Sequence, residues 1–189
     1  MIIKPLHPSV PGLSIRLADE HFAAYVLAAD FTFEVNGYVD ARTDTPVTEW
    51  AVREVAPYRK CYGIHPEEFA ACLDTAHGAI FVAWLEGRAV GHVVVSTHWN
   101  GYAHIDELAV DAGARRSGVA CALLDVTQFW AQKKSLAGVM LETQNNNLAA
   151  CRLYERCGFV VGGVDRLRYR GIDPRSLEVA IFWYRLFAA

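Results

Sequence analysis

The sequence has no excess of positive charge, which argues against nucleic acid as its main ligand. Its 189 residues carry a formal net charge of −3 at pH 7, whereas a basic patch is the usual electrostatic mark of nucleic-acid binding. No apolar run approaches the roughly 20 residues of a membrane span. The opening residues Met1-Ile2-Ile3-Lys4-Pro5 lack the charged and then apolar layout of a signal peptide. We therefore expect a cytoplasmic protein with neither nucleic acid nor a membrane as partner.

Cysteine spacing of the kind used by zinc sites and redox motifs is also missing. The five cysteines are an odd number, and the sequence contains no C-x-x-C and no matching histidine pattern. We expect reduced, mostly buried thiols and no metal site. The cysteines are Cys61, Cys72, Cys121, Cys151 and Cys157.

Length and composition fit one globular domain over residues 1–189. Hydrophobic residues make up 53% of the chain and charged residues 21%, and the mean hydropathy is +0.14. These values show no disordered or collagen-like bias. A chain of this length can bury about two-thirds of its unfolded surface. Internal repeats and low-complexity segments are absent.

The stretch from Ile105 to Ala120 carries the most informative pattern. It reads as an apolar strand with two adjacent acids, a basic loop with a glycine, and the start of an amphipathic helix. Such a loop can hold a pyrophosphate, because helix-opening N–H groups are unpaired and arginines add charge-assisted hydrogen bonds. The residues concerned are Arg115, Arg116, Ser117, Gly118, Val119 and Ala120. Alone, the pattern also fits an ordinary strand–loop–helix with surface arginines.

The remaining patterns predict a mixture of strands and helices. Strands are predicted at residues 13–17, 50–55, 79–85, 89–98, 105–110, 138–143, 159–170 and 177–186, and residues 31–35 fit a strand or an extended loop. Helices are predicted at residues 21–29, 66–76, after Gly118, and at 148–157. Turns are predicted at residues 36–37, 57–60, 86–88 and 99–101.

Two motifs in the second half resemble a known family. One is R-x-x-G-x-A beginning at Arg115, and the other is N-x-x-A-x-x-x-Y-x-x-x-G-F beginning at Asn147. Both are similar to the signatures of the GCN5-related N-acetyltransferases (GNAT). The segments R-E-V-A-P-Y-R-K, L-E-T-Q-N-N-N, A-C-R-L-Y-E-R-C-G-F and G-G-V-D-R are similar to those of its streptothricin acetyltransferases. The resemblance covers roughly residues 81–184 and weakens before about Val52.

This resemblance implies an α/β fold of the acyl-CoA N-acyltransferase type. Its mixed, mostly antiparallel sheet of six to seven strands is flanked by helices and contains a splayed parallel pair, here Glu107–Val110 and Val139–Leu141. Acetyl-CoA would lie in that split as acetyl donor. The cofactor-binding residues implied are Leu108, Ala109, Val110, Arg115, Arg116, Ser117, Gly118, Val119, Ala120, Asn147 and Tyr154. Asn147 is equally well explained as a helix cap.

The catalytic residues implied are Tyr154, as general acid for the leaving thiol, and Asp106 or Glu107, as base. Successive strand residues point to opposite faces, so at most one of the two acids can face the substrate amine. The resemblance favours Asp106, with water mediation or a binding-only role left open. Tyr154 by itself would be read as a core aromatic.

The substrate implied is a streptothricin-class antibiotic, acetylated at its β-lysine amine. Such a cationic substrate calls for an acidic and aromatic pocket, with Trp99, Asp106, Glu142, Asp165 and Glu34 as candidates. Asp30, Glu34 and Tyr38 are weaker candidates than the others, since solvated or packed residues of these types are common. The histidines His92, His98 and His104 could relay protons or simply be hydrogen-bonded.

Two other functions stay open at this point. The chain could acetylate another small amine or a peptide amine, or it could be a non-catalytic acyl-CoA-binding sensor. A homodimer through the last strands is common in the family and is a further option.

Overall fold

A computed structural model describes residues 10–63, 65, 67–69 and 75–187. The strands in this part of the chain are β1 Leu13–Leu17, β2 Phe33–Val39, β3 Val52–Lys60, β4 Gly78–Leu85, β5 Arg88–Thr97, β6 Ala103–Val110, β7 Gly138–Gln144, β8 Val160–Asp165 and β9 Ala180–Leu186. The α-helices are α1 Phe22–Ala28, α2 Val119–Lys133 and α3 Leu148–Arg156.

Seven strands form one mixed sheet in the order β1-β4-β5-β6-β7-β9-β8, and β2 and β3 form a separate antiparallel hairpin. The pairs β1/β4, β4/β5, β5/β6 and β8/β9 are antiparallel. The pair β6/β7 is parallel, as the helical crossover through α2 requires. The predicted fold class is therefore confirmed, with β6 and β7 as its parallel pair.

The chain divides into two compact units, one of Met1–Thr32 with Cys61–Val139 and one of Phe33–Lys60 with Met140–Ala189. The expectation of a single domain over residues 1–189 stays a prediction. The helix expected at residues 66–76 and the thiol of Cys72 lie largely outside the described residues.

The first unit is built around β5, which is buried on both faces. One face packs against α1, where Phe22 and Val26 join Ile80, Val82 and Val94 in a single apolar cluster. The register that aligns Val82 with His92 and Ile80 with Val94 brings these strand residues to the same face. Burial of this cluster supplies the hydrophobic free energy that holds α1 on the sheet.

The other face of β5 packs against α2, and Gly91 makes the contact possible. A Cβ atom at Gly91 would lie 3.0 Å from Val119 Cγ1 and 3.3 Å from Leu123 Cδ1. Val119 and Leu123 are themselves buried on the helix. The predicted apolar stripe of α2 is thus the face that contacts the sheet, with Leu124, Thr127 and Ala131 also buried.

The second unit has its core around Trp183 of β9. The Trp183 ring lies 6.0 Å from that of Trp50 and 5.9 Å from that of Tyr154. Tyr154 in turn lies 5.9 Å from Phe159. These aromatic contacts fix α3 against the last strands of the unit, because large rings bury much apolar area at defined distances.

Two turns predicted in this unit are wrong, because both segments are strand. Asn36 and Gly37 lie inside β2, at an irregularity in its pairing with β3. Gly37 is needed there for close strand packing, since a Cβ atom would lie 2.7 Å from Val52 Cγ1. The predicted basic turn at residues 57–60 is the end of β3. Cross-strand pairing with β2 outweighs the local turn signal of Pro57.

The strand predicted at residues 159–170 is too long, because β8 ends at Asp165. The Asp165 carboxylate accepts hydrogen bonds from the N–H groups of Leu167 and Arg168, at 2.8 and 3.0 Å. This side chain turns the backbone, as aspartate commonly does in turns. A short 3₁₀ helix, Arg168–Gly171, follows. The last strand likewise begins only at Ala180.

His92 of β5 is fully buried in an aromatic environment. Its ring lies 5.2 Å from Phe22, 5.4 Å from Phe31 and 5.8 Å from Tyr25. Nδ1 is 3.5 Å from the Tyr25 hydroxyl, and Nε2 has no hydrogen-bond partner among the described residues. Burial lowers the pKa of His92 to about 3, so the ring is neutral in the folded protein.

We predict that His92 makes the protein less stable as the pH falls below about 6.5. The unfolded chain then binds a proton that the folded chain cannot, which costs about 2 kcal/mol of unfolding free energy near pH 5. Denaturant unfolding at several pH values should show a flatter profile for His92→Gln than for the wild type. The exposed His77 offers a matched control, His77→Gln, which should keep the wild-type slope. Equal slopes for His92→Gln and wild type would contradict the prediction.

Candidate active site

The two acids of β6 lie at a β-bulge and have different environments. Glu107 is aligned with Val94 and Ile105 with Val95, so Asp106 is the additional residue on β6. Asp106 is exposed, while Glu107 is more enclosed. Asp106 Oδ1 lies 2.8 Å from His104 Nδ1. The two acids are therefore not interchangeable.

Glu107 has the electrostatic properties of a general base. Burial of its carboxyl raises the pKa to about 7, because desolvation disfavours the charged form. A base works best when its pKa lies near the working pH, and a strongly perturbed carboxyl is a marker of functional sites. Of the two acids predicted for this role, Glu107 is the one with these properties.

His104 and Asp106 belong to a small cluster with His98 and Trp99 at the start of β6. The His98 and His104 rings are 5.5 Å apart, and the Trp99 ring is 5.6 Å from His98. Trp99 is 90% exposed, in the predicted turn between β5 and β6. An exposed indole suits the predicted role in contacting a cationic, partly apolar substrate.

The loop that follows β6 is held by Arg115. Its Nε donates to the Val110 carbonyl at 3.1 Å, and Nη1 donates to the Thr32 carbonyl at 2.7 Å. Asp111 adds bonds from the Gly113 N–H at 2.9 Å and the Asp30 N–H at 3.3 Å. Arg115 thus makes structural contacts here, and its predicted contact with a phosphate stays a prediction.

Helix α2 begins with the features of an anion site. Gly118 at its N-cap has φ +88°, and neither a side-chain cap nor a first-turn acid is found among the residues of α2, all of which are described. The helix dipole at this end favours an anion such as a phosphate. Arg116, with φ +60°, is exposed just before this start. The Ser117 hydroxyl donates to the Ala114 carbonyl, and its predicted contact with a cofactor stays a prediction.

Helix α3 contrasts with α2, because its N-terminus is capped. The Asn147 side-chain oxygen accepts a hydrogen bond from the Ala150 N–H at 3.1 Å. The structural role of Asn147 as a helix cap is thereby confirmed, and its contact with a cofactor stays a prediction. Tyr154, 7% exposed, is packed among the aromatic rings of the second unit.

The acids predicted to bind substrate in the second unit have distinct partners. Both oxygens of Glu142 are engaged, by the Tyr169 hydroxyl and by Arg168 Nε at 2.9 Å. Asp165 is used in the turn after β8. Glu34 is exposed and lies opposite Arg59 in the hairpin. Of these three acids, Glu142 is the one shown with a mostly buried side chain and a partner at each carboxylate oxygen, and its role in binding substrate stays a prediction.

Sequence reasoning missed the polar network that joins Glu142 to its neighbours. The Tyr169 hydroxyl accepts from Gln144 Nε2 at 2.9 Å, and Gln144 Oε1 accepts from Lys60 Nζ at 3.3 Å. Lys60 also forms an ion pair with Glu178, whose carboxylate accepts from Asn146 Nδ2 at 3.2 Å. No local motif marks such a network, since its members come from four separate segments. A partial signal was the run of polar residues at the end of β7.

None of the described cysteines forms a disulfide: Cys61 is exposed, Cys121 is partly buried, and Cys151 and Cys157 are buried. Burial raises the pKa of the Cys151 thiol to about 12, so it is not a nucleophile at neutral pH. In the described ranges, no three His, Cys, Asp or Glu side chains are grouped so that they could hold a metal ion. None of the described helices has the length and apolar character that crossing a membrane needs.

Comparisons with known proteins agree with this geometry. Residues 19–159 match the model of the acetyltransferase (GNAT) family. The chain is 34% identical over 163 residues to streptothricin acetyltransferase of Escherichia coli, covering 85% of this chain and 89% of that protein. It is 40% identical over 109 residues to streptothricin acetyltransferase A of Bacillus subtilis strain 168, covering 58% of this chain and 62% of that protein.

A solved structure is also similar over nearly the whole chain. A candidate streptothricin acetyltransferase of Bacillus anthracis str. Ames, in complex with acetyl coenzyme A, is 36% identical to it with a TM-score of 0.81. The match covers 93% of this chain and 99% of that one. This chain belongs to the GNAT acetyltransferase family and is an N-acetyltransferase. The resemblance predicted from the motifs is confirmed, and the family match begins at residue 19, earlier than expected.

We predict that Glu107 titrates at about pH 7 in the folded protein. Carboxyl ¹³C NMR of the labelled protein should show one glutamate with this midpoint, and the signal should be missing in Glu107→Gln. Asp106→Asn is the matched control, because it removes the neighbouring exposed acid and should keep the transition. A Glu107 midpoint near the ordinary glutamate value of about 4.3 would contradict the prediction.

Proposed function

We propose that this enzyme transfers the acetyl group of acetyl-CoA to the β-lysine amine of a streptothricin-class antibiotic and thereby inactivates it. The observation that carries the chemistry is the half-buried Glu107 carboxyl on β6, whose pKa is about 7. The substrate class is supported by two curated streptothricin acetyltransferases, at 34% and 40% identity. Acetyl-CoA is supported as donor by its presence in the related solved structure.

The first chemical requirement is removal of a proton from the substrate amine. A lysine-type ammonium has a pKa of about 10.4, so roughly one molecule in a thousand or fewer is nucleophilic at neutral pH. Glu107 in its carboxylate form accepts this proton, directly or through water. Asp106, favoured by the resemblance, is already engaged by His104. We therefore assign the base to Glu107 and a substrate-binding role to Asp106.

The second requirement is a place for the donor. Acetyl-CoA, when bound, supplies an acetyl thioester and a pyrophosphate. The N–H groups from Arg116 to Ala120 would hold the pyrophosphate at the open end of α2. The backbone of Leu108, Ala109 and Val110 would pair with the pantetheine arm, and the Val110 N–H would face the thioester carbonyl oxygen. The Asn147 side-chain oxygen caps α3, so Asn147 would contact the donor through its other polar atoms.

The third requirement is a proton for the departing thiol. Tyr154 is proposed to supply it from its hydroxyl, as the tyrosine in its motif does in the family. Its ring is fixed by Phe159 and Trp183, so the hydroxyl would be held in one position. A rigid donor limits the reorganisation needed during the transfer.

Three further expectations belong to this proposal. We infer that residues 1–189 form one catalytic domain, that the enzyme acts in the cytoplasm, and that it can form a homodimer. Gel filtration with light scattering separates a dimer from a monomer.

The proposed function is tested by the release of thiol from acetyl-CoA. We expect rapid release with streptothricin and much slower release with free lysine as the comparison amine. Mass spectrometry of the product should place one acetyl group on the β-lysine part. Release with other small amines or peptides but not with streptothricin would assign a different substrate. Binding of acetyl-CoA without release for any amine would indicate a sensor.

We predict that Tyr154→Phe lowers kcat by about 100-fold or more while the affinity for acetyl-CoA changes little. Phenylalanine keeps the ring contacts, so the melting temperature should stay close to that of the wild type. Tyr58→Phe removes a more exposed hydroxyl of the same unit and serves as control, with kcat expected to be unchanged. Full activity of Tyr154→Phe would leave Tyr154 with a purely structural role.

A further inference from the structure

The two side chains of the ion pair between Glu142 and Arg168 differ in solvent exposure. The Glu142 side chain is 19% exposed and the Arg168 side chain is 53% exposed. A mostly buried carboxylate needs a compensating cation, whereas an exposed arginine loses little when it returns to water. Arg168 Nε lies 2.9 Å from Glu142 Oε2, and the guanidinium is the more exposed partner of this pair.

The other partner of Glu142 is fixed and neutral. The Tyr169 hydroxyl donates to Glu142 Oε1 and accepts from Gln144. Burial, and next the hydrogen bond to Glu142, raise the pKa of Tyr169, so the phenol stays protonated at neutral pH. Glu142 is thus held in one orientation by Tyr169, and its charge is balanced by Arg168.

The Arg168 side chain can leave without opening the loop. Its backbone N–H is bound by the Asp165 carboxylate at 3.0 Å, which fixes the start of the 3₁₀ helix Arg168–Gly171. Beyond Cα, the guanidinium contacts the Phe182 ring at 5.8 Å and Glu142. Rotation about side-chain bonds therefore suffices to free the carboxylate.

The neighbouring ion pair, Lys60–Glu178, is in contrast mostly buried on both sides. Lys60 and Glu178 have similar exposures, 18% and 22%, and both make further hydrogen bonds, to Gln144 and from Asn146. Removing Lys60 would leave several polar groups without partners, which is costly in a low-dielectric environment. Glu142–Arg168 is the member of the network that is suited to exchange.

We propose that Glu142 is a subsite for a second cationic group of the acceptor substrate, and that Arg168 occupies it as an internal substitute until that group displaces it. This rests on the proposed function in one respect, namely that the acceptor carries more than one positive charge. The exchange selects polycationic acceptors, because a substrate with a single amine gains nothing at Glu142. No covalent step is involved.

Side-chain NMR tests the exchange without turnover. In protein labelled with ¹⁵N-arginine, the Nε–Hε signal of Arg168 is assigned by its loss in Arg168→Gln. Streptothricin added without acetyl-CoA should move this signal to the position of a solvent-exposed arginine. Arg166 is a matched control, because it pairs with the exposed Asp40 at 3.3 Å and its signal should not move.

The KM for streptothricin gives a second test. The direction in which it changes in Arg168→Gln shows whether Arg168 competes with the substrate for Glu142 or supports Glu142. Arg168→Gln should lower the KM for streptothricin by about two- to fivefold, the range expected for removing an exposed competing ion pair. Arg166→Gln should leave this KM unchanged, and Glu142→Gln should raise it. If Arg168 merely supports Glu142, Arg168→Gln will raise the KM, and that result would overturn the proposal.

The outcomes separate this proposal from the proposed function. An Arg168 signal that stays in place while streptothricin drives thiol release overturns the exchange and keeps the acetylation. A signal displaced by streptothricin without any thiol release supports the exchange and overturns the acetylation. Should Glu142→Gln fail to fold, the NMR experiment and Arg168→Gln still decide.

Discussion

The burial of β5 on both faces is the constraint on which the first unit depends. Val93, Val94 and Val95 have no solvent exposure, and such a strand is stable only if each face of the sheet is covered. Helix α1 covers one face through His92 and Val94, and α2 covers the other at Gly91. Val119 in the first turn of α2 lies against Gly91, so the packing on β5 also fixes the position of the helix N-terminus.

The same constraint explains the electrostatics of the candidate active site. Glu107 lies next to Val94 in the register with β5, so its carboxyl shares the enclosed environment of a core strand. The bulge leaves Asp106 exposed, with its carboxylate bound to His104. One sequence pair, Asp106-Glu107, therefore yields a solvated acid and a desolvated one, and the two can do different chemistry.

In the second unit, charged side chains are held beside an apolar core. Its aromatic centre around Trp183 is apolar, while the edge beside it carries Glu142 and Glu178 with their cations. Tyr169 and Gln144 connect the two ion pairs, so every carboxylate oxygen of Glu142 has a partner. Buried polar groups persist only when they are satisfied in this way. A substrate with its own cation can replace one of those partners.

Local sequence determined β6, α2, β7 and α3, the turn at Glu86-Gly87, where both residues have positive φ, and the two family motifs, whereas the end of β8 and the start of β9 were set by the tertiary structure. These signals are periodicity, glycine and helix caps, which act within a few residues. Only the tertiary structure decided that Asn36-Gly37 and residues 57–60 are strand, that Arg115 binds backbone carbonyls, and that Glu107 is the desolvated acid. It also revealed Arg168, Tyr169 and Glu178, because burial and charge pairing depend on neighbours that are distant in sequence.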